Sequence, residues 1–202
     1  MVVERQFTES EAKEHDSLWI EASRLTSGEL HIDGQPVPGA PDFRTRLKLK
    51  KASRLYKSVL KINPDNGAAY FFLARIQLRL GDKDNCMDNL LRAQQLEPTS
   101  PGIARECVMV AMQLNQVDQA INLARAAVQR IPDDGGLFVN MGVALLVAGR
   151  ADEAANAFSR ATELELDNVV TQKLSALANR VAAREVPCPR SEREIALAIQ
   201  AD

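Results

Sequence analysis

Residues 64–98 read PDNGAAYFFLARIQLRLGDKDNCMDNLLRAQQLEP, and the chain on either side repeats this plan every 34 residues. Ala52, Cys86, Ala120 and Ala154 stand 34 apart, as do Tyr56, Leu90, Ala124 and Phe158, and as do Val59, Ala93, Ala127 and Ala161. Pro64, Pro98 and Pro132 follow the same step, which then reaches Leu166, where the proline is missing. Spacings of four and three residues place the first three columns on one face of a helix. The proline forbids that helix from continuing. A second set, Tyr70, Ala104 and Phe138, is followed three and four residues later by Leu73-Ala74, Cys107-Val108 and Met141-Gly142, which marks an earlier helix in each unit. Between the two helices sit Gly81, Asn115 and Gly149, residue types that accept the left-handed backbone of a helix end.

Helix, tight turn, helix and proline-marked turn over 34 residues resembles the tetratricopeptide repeat, whose pattern is W-x2-L-G-x2-Y, then A-x3-F, then P. The resemblance covers roughly residues 47–168. It departs from the pattern in the third unit, where Ala104, Cys107 and Ala124 shrink the large positions, and in the first unit. It implies an all-α fold, a right-handed α-solenoid of helix-turn-helix repeats, because one repeat cannot bury its apolar face alone and stacked neighbours must share a core. The array is expected to occupy residues 1–184, with repeats near 43–66, 67–100, 101–134 and 135–168 and a capping helix at 169–184. A tail at 185–202 carries a last short helix.

In the first unit Trp19, Ala22, Ser23 and Thr26 reproduce the spacing of a first repeat helix, 17 residues upstream of the register position at Pro36 (36 − 19 = 17). The displaced interval, residues 27–42, holds Gly28, Gly34, Gly39, Pro36, Pro38 and Pro41, which no helix tolerates. Asp33-Gly34 would close a small hairpin there; the alternative is an irregular surface loop. A loop of this length is either functional or merely mobile.

Hydrophobic residues make up 46% and charged residues 26% of the 202, the balance of a soluble globular protein. The formal net charge of −2 gives no overall pull toward nucleic acid or an anionic membrane, so partners must be argued locally. Cys86 and Cys107 fall in packing columns and read as buried small hydrophobes, whereas Cys188, between two prolines, is expected to be exposed, which suits a reducing compartment. With no export pattern at Met1–Arg5 and no membrane-length apolar run, the expected location is cytoplasmic.

Charge is unevenly spread. Residues 1–27 are acid-rich, and the helix from Phe43 to Ile62 is basic, carrying Arg44, Arg46, Lys48, Lys50, Lys51, Arg54, Lys57 and Lys61 with no acid. Antiparallel packing would bring the two together, leaving a solvated face; the sharper reading is a contact for an acidic partner or RNA. Against nucleic acid stands the lack of interleaved aromatics, since Tyr56 belongs to the core column. Beyond Leu166, Val169, Val170, Leu174, Leu177 and Val181 form the apolar stripe expected of the capping helix. Ser191 with Glu194 three residues on is a capping-box signature for the tail helix. Gln94 is expected to face water.

The family's concave face is lined by one side of each first helix. Carried over position by position, that side holds Phe71, Arg75, Leu78 and Arg79, then Arg105, Met109, Met112 and Gln113, then Val139, Val143, Leu146 and Val147. The expected site is an apolar strip with an arginine edge, suited to a protein or peptide partner with apolar anchors and acidic residues. Met109 and Met112 would make its floor adaptable. The lysine and asparagine clamp that some relatives use on terminal carboxylates is not expected, because Phe71, Val139 and Val143 stand where polar groups would be needed. The alternative occupant is the chain's own tail, with Glu192, Glu194, Ile195, Leu197 and Ile199, supplied by the same molecule or by a second copy in a homo-oligomer.

No glycine-rich phosphate loop, spaced carboxylate pair or nucleophile with a base at a suggestive spacing appears. His15 and His31 lie on separate elements without a matching ligand set. No catalysis, metal or cofactor is therefore expected; the sequence points to an adaptor or scaffold.

Overall fold

The computed structural model describes residues 7–30, 39–164 and 169–201. Among them the chain forms ten helices and no strand: α1 (Glu9–Thr26), α2 (Phe43–Ile62), α3 (Gly67–Leu80), α4 (Lys83–Leu96), α5 (Pro101–Gln113), α6 (Val117–Arg130), α7 (Gly135–Val147), α8 (Ala151–Leu164), α9 (Val169–Ala182) and α10 (Glu192–Ala201). They fall into two compact units, Met1–Glu97 with α1 to α4 and Pro98–Asp202 with α5 to α10.

The helix ends are set by local chemistry. Thr8 and Glu11 form a reciprocal capping box at the start of α1. Asp42, Asn66 and Asp134 each accept a backbone N–H three residues on, which opens α2, α3 and α7. The turns after α3, α5 and α7 contain Gly81, Asn115 and Gly149 with φ of 88°, 59° and 78°, the left-handed backbone that the repeat register calls for.

Within the first unit, α1 packs on α2, α2 on α3 and α3 on α4. Ala22, Leu49, Ala52, Tyr56, Val59, Ala69, Leu73 and Ile76 make one core. Trp19, Tyr56 and Phe72 form an aromatic knot at its edge, with ring centroids 5.3 to 5.7 Å apart. The acidic and basic helices do meet, as Lys51 pairs with Glu21 at 2.6 Å, and Lys48 pairs at 2.9 Å with Glu29, three residues past the end of α1. The Asp33-Gly34 hairpin, His31 and most of the prolines of the 27–42 interval lie outside the described residues.

In the second unit α5 packs on α6 and α7, α7 on α8, α8 on α9 and α9 on α10. The small and large columns are interior throughout: Cys86, Ala120 and Ala154, like Leu90, Ala124 and Phe158, are at most 1% exposed in their respective units. Removing a Leu90 or a Phe158 from water stabilises by about 1.5–3 kcal/mol. An exposed ion pair such as Arg125–Glu153, at 2.9 Å, is worth about 0–1 kcal/mol. The apolar columns, and not the surface ion pairs, hold the hairpins. Gly142 shows how closely: a Cβ added there would lie 2.5 Å from Cε1 of the fully buried Phe158 ring.

Three expectations are corrected. Gln94 is buried, at 9% exposure, because its neighbour Ala93 lies in the packing column and the helix face is wider than the repeat pattern implies. The stripe of α9 begins at Thr171, with Leu174, Leu177, Ala178 and Val181 buried, whereas Val169 and Val170 are 62% and 54% exposed. Cys188 is only half-buried and not free in solvent, since its thiol donates to the Leu146 carbonyl at the end of α7 at 3.1 Å. The tail helix is capped as read, Glu194 N–H donating to Ser191 Oγ, and Ile195 is buried at 3% exposure.

Ala120→Leu should lower the urea-unfolding free energy by about 1–3 kcal/mol through overpacking, and Gly142→Ala by a similar amount. Gln129→Leu on the exposed face of α6 should change it by no more than about 0.5 kcal/mol.

Candidate functional site

The candidate strip has one part in each unit. On α3 the side chains of Phe71, Arg75, Leu78 and Arg79 are half-buried and follow one another at the spacing of a helical face. Phe71 meets Phe72 edge-on at 5.9 Å, so it is a surface extension of the Trp19–Tyr56–Phe72 knot. The Arg75 guanidinium lies 5.4 Å over the Phe71 ring, a cation–π contact that covers part of the aromatic surface. Arg79 donates through Nε to the Glu29 carbonyl at 3.1 Å.

Glu29 thereby becomes a junction that repeat logic does not foresee. Its carbonyl takes Arg79 of α3, while its carboxylate accepts Lys48 Nζ at 2.9 Å and Thr45 Oγ1 at 3.1 Å, both on α2. The Lys48 bond, aided by Thr45, holds that carboxyl below the usual glutamate range against the opposing effect of partial burial. His15 is likewise structural. Its ring stacks on Trp19, and a ring carrying its hydrogen on Nδ1 donates to Asp16 and accepts at Nε2 from Asn66, the cap of α3, each at 3.1 Å.

In the second unit Arg105, Met109 and Met112 on α5 and Val139 and Val143 on α7 are half-buried, on two helices that pack together. The step of 34 puts Met109 and Val143 at equivalent places. Leu146, expected in the same strip, is fully buried and offers no surface to a partner; its backbone carbonyl accepts the Cys188 thiol, which brings the segment after α9 against this end of α7. The Arg105 guanidinium sits 3.6 Å from Asp134 and lies against Gly136, where a Cβ would meet Nη1 at 3.0 Å. Each arginine of the expected edge is thus engaged within its own unit, so each unit's candidate surface is apolar first and cationic second.

The tail packs on α9, with Lys173 Nζ donating to the Ile199 carbonyl at 2.9 Å. Between the end of α7, α9 and the tail lies a cavity of about 910 Å³, lined among others by Val147, Leu177, Arg180, Cys188, Glu194 and Leu197. Among the described residues no group of three or more His, Cys, Asp or Glu side chains could hold a metal ion.

A tetratricopeptide repeat family model matches residues 48–105 and 111–177, more than half of the chain. The chain belongs to the tetratricopeptide repeat family. Its match to the human protein O-mannosyl-transferase TMTC1 is 24% identical over 139 residues, 67% of this chain, and spans only 16% of that protein. Among solved structures it is similar to a MamA protein, with a TM-score of 0.68 at 14% identity and coverage of 94% and 93% of the two chains. It is also similar to YrrB, described as a TPR protein with an unusual peptide-binding site, with a TM-score of 0.61 at 18% identity and coverage of 96% and 94%. Pseudomonas aeruginosa pilF gives 0.64 at 13% identity, covering 96% of this chain and 78% of that one. At these identities the structural likenesses establish the tetratricopeptide fold alone. No described helix is long and apolar enough to cross a membrane.

The pH dependence of the Glu29 junction has a defined sign. A carboxyl depressed in the folded state contributes stability above its unfolded value of about 4.3, and this is lost as pH falls through the lower folded value. The unfolding midpoints of wild type and Glu29→Gln should differ at neutral pH and converge in acid below that range, as followed by helical circular dichroism.

Proposed function

We propose that this chain is a non-catalytic protein-interaction module, an adaptor or scaffold, that captures a peptide or helix segment on the apolar strip of its first repeat helices. The observation that carries the reading lies in the second unit, where Met109 and Met112 on α5 stand beside Val139 and Val143 on α7, all half-buried on a pair of packed helices. Surfaces of this kind take apolar anchors spaced along a strand or helix, and methionine lets the floor adapt to several side chains. Phe71 and Leu78 supply the equivalent surface on α3 in the first unit. Because Arg75, Arg79 and Arg105 are already engaged, acidic residues of a partner would bind by sharing them, and the anchors would contribute most of the affinity. The peptide-binding site described for YrrB is consistent with such a use of the fold.

A second reading is self-association. Val169, Val170 and Leu197 are 62%, 54% and 58% exposed, on two helices that pack together and are joined by the Lys173 bond to the Ile199 carbonyl. Removing residues 187–202 and measuring molar mass by light scattering separates the two, since only self-association would be lost.

Peptides selected on the wild-type chain from a displayed library should bind Met109→Glu, Val143→Glu at least about 30-fold more weakly, the loss expected of a central anchor pair. Equal affinity in a variant with unchanged circular dichroism would exclude the strip.

A further inference from the structure

The outer face of α2 is not explained by the repeat. With 100° per residue, Phe43, Arg46, Leu47, Lys50, Arg54, Lys57 and Lys61 fall within an arc of about 100°, on the side of the helix away from the buried Leu49, Ala52, Tyr56 and Val59. All seven are exposed, Phe43 by 74% and Leu47 by 53%. Within this arc every position from Phe43 to Lys61 is a cation or a large apolar residue.

Two comparisons inside the chain show that this is a property of α2 alone. It is 20 residues long where α4, α6 and α8 have 14, and the extra first turns carry Phe43 and Leu47. At steps of 34, the counterparts of Arg54 are Asp88, Asn122 and Asn156, and those of Lys61 are Gln95, Gln129 and Glu163. The acids of α1 do not neutralise the row. Glu21 of α1 and Glu29, just past its end, pair with Lys51 and Lys48 on the flank of α2, and among the described residues Lys50, Arg54, Lys57 and Lys61 have no ion pair. Like charges three and four apart on one helix repel, a cost that an anionic partner would remove.

We infer that this face of α2 docks the protein on an anionic phospholipid surface, the cations meeting headgroup phosphates and Phe43 and Leu47 entering the interface. The net charge of −2, which argues against such contact for the chain as a whole, conceals the local row. The apolar pair is what distinguishes the occupant. A single-stranded nucleic acid would call for aromatics interleaved along the row, whereas here the large apolar side chains are gathered at one end. A protein partner would need acids set in register along about 27 Å of helix, but lipid phosphates move laterally and meet any row. Apolar side chains flanked by lysine and arginine are the composition of an interfacial helix face.

The test is co-sedimentation of the full chain with vesicles of phosphatidylcholine alone and of phosphatidylcholine with about one third phosphatidylglycerol. Binding is expected only to the anionic vesicles and should weaken as salt is raised. Lys50→Gln with Arg54→Gln and Lys57→Gln should lower the affinity on the order of a hundredfold, at about fivefold per cation. Phe43→Ser with Leu47→Ser, at unchanged charge, should lower it on the order of tenfold. Failure to bind anionic vesicles, or equal binding by the charge-neutralised variant, overturns the inference. So does binding of polyuridylate or polyglutamate in place of vesicles, which would mark a general polyanion site. Met109→Glu, Val143→Glu should leave vesicle binding unchanged, so this inference and the peptide-capture reading fail separately.

Discussion

Everything in this protein depends on how near two helix backbones can come. Ala52, Cys86, Ala120 and Ala154 leave room for the facing helix to approach, and after Ala52, Cys86 and Ala154 a larger side chain four residues on fills the space, while Ala124 keeps that position small in the third unit. Interiors are packed as densely as organic crystals, so neither a void nor an extra methylene is tolerated at such a contact. Fixed approach gives fixed spacing between first helices, and fixed spacing lines up Met109 with Val143. The candidate surface is therefore a by-product of the core.

The columns were legible because they obey one rule at a fixed interval, and the left-handed turns at Gly81, Asn115 and Gly149 were legible for the same reason. What escaped was chemistry that does not repeat. Glu29 links α2 to α3 from a connection that has no counterpart in the other units, and His15 buttresses the cap of α3 across 51 residues of chain. Gln94 and Leu146 were misplaced because their burial depends on what packs beside them, which no interval records. Of the candidate strip, the identity of the half-buried residues could be read off the register. The engagement of Arg79 and Arg105 could not, since Glu29 and Asp134 come from outside their own helices.

Charge follows a different logic from packing. On most second helices the outer face is mixed, and an isolated pair such as Arg160–Glu163 at 2.8 Å is ordinary solvated surface. On α2 one flank is balanced by α1 and the opposite face is not, so the helix has one side committed to the hairpin and another that remains cationic. The core requires only the first.

The ring of Phe158 filling the place where Gly142 has no side chain points to a wider regularity. The same two positions are Val108 with Ala124 in the hairpin before, and Ala74 with Leu90 in the one before that. Each hairpin thus divides a roughly constant volume differently between its two helices. The heritable unit is then the couple, not the residue: transplanting one partner alone would leave a hole or a collision, while grafting both together would carry a self-consistent fit from one repeat into another.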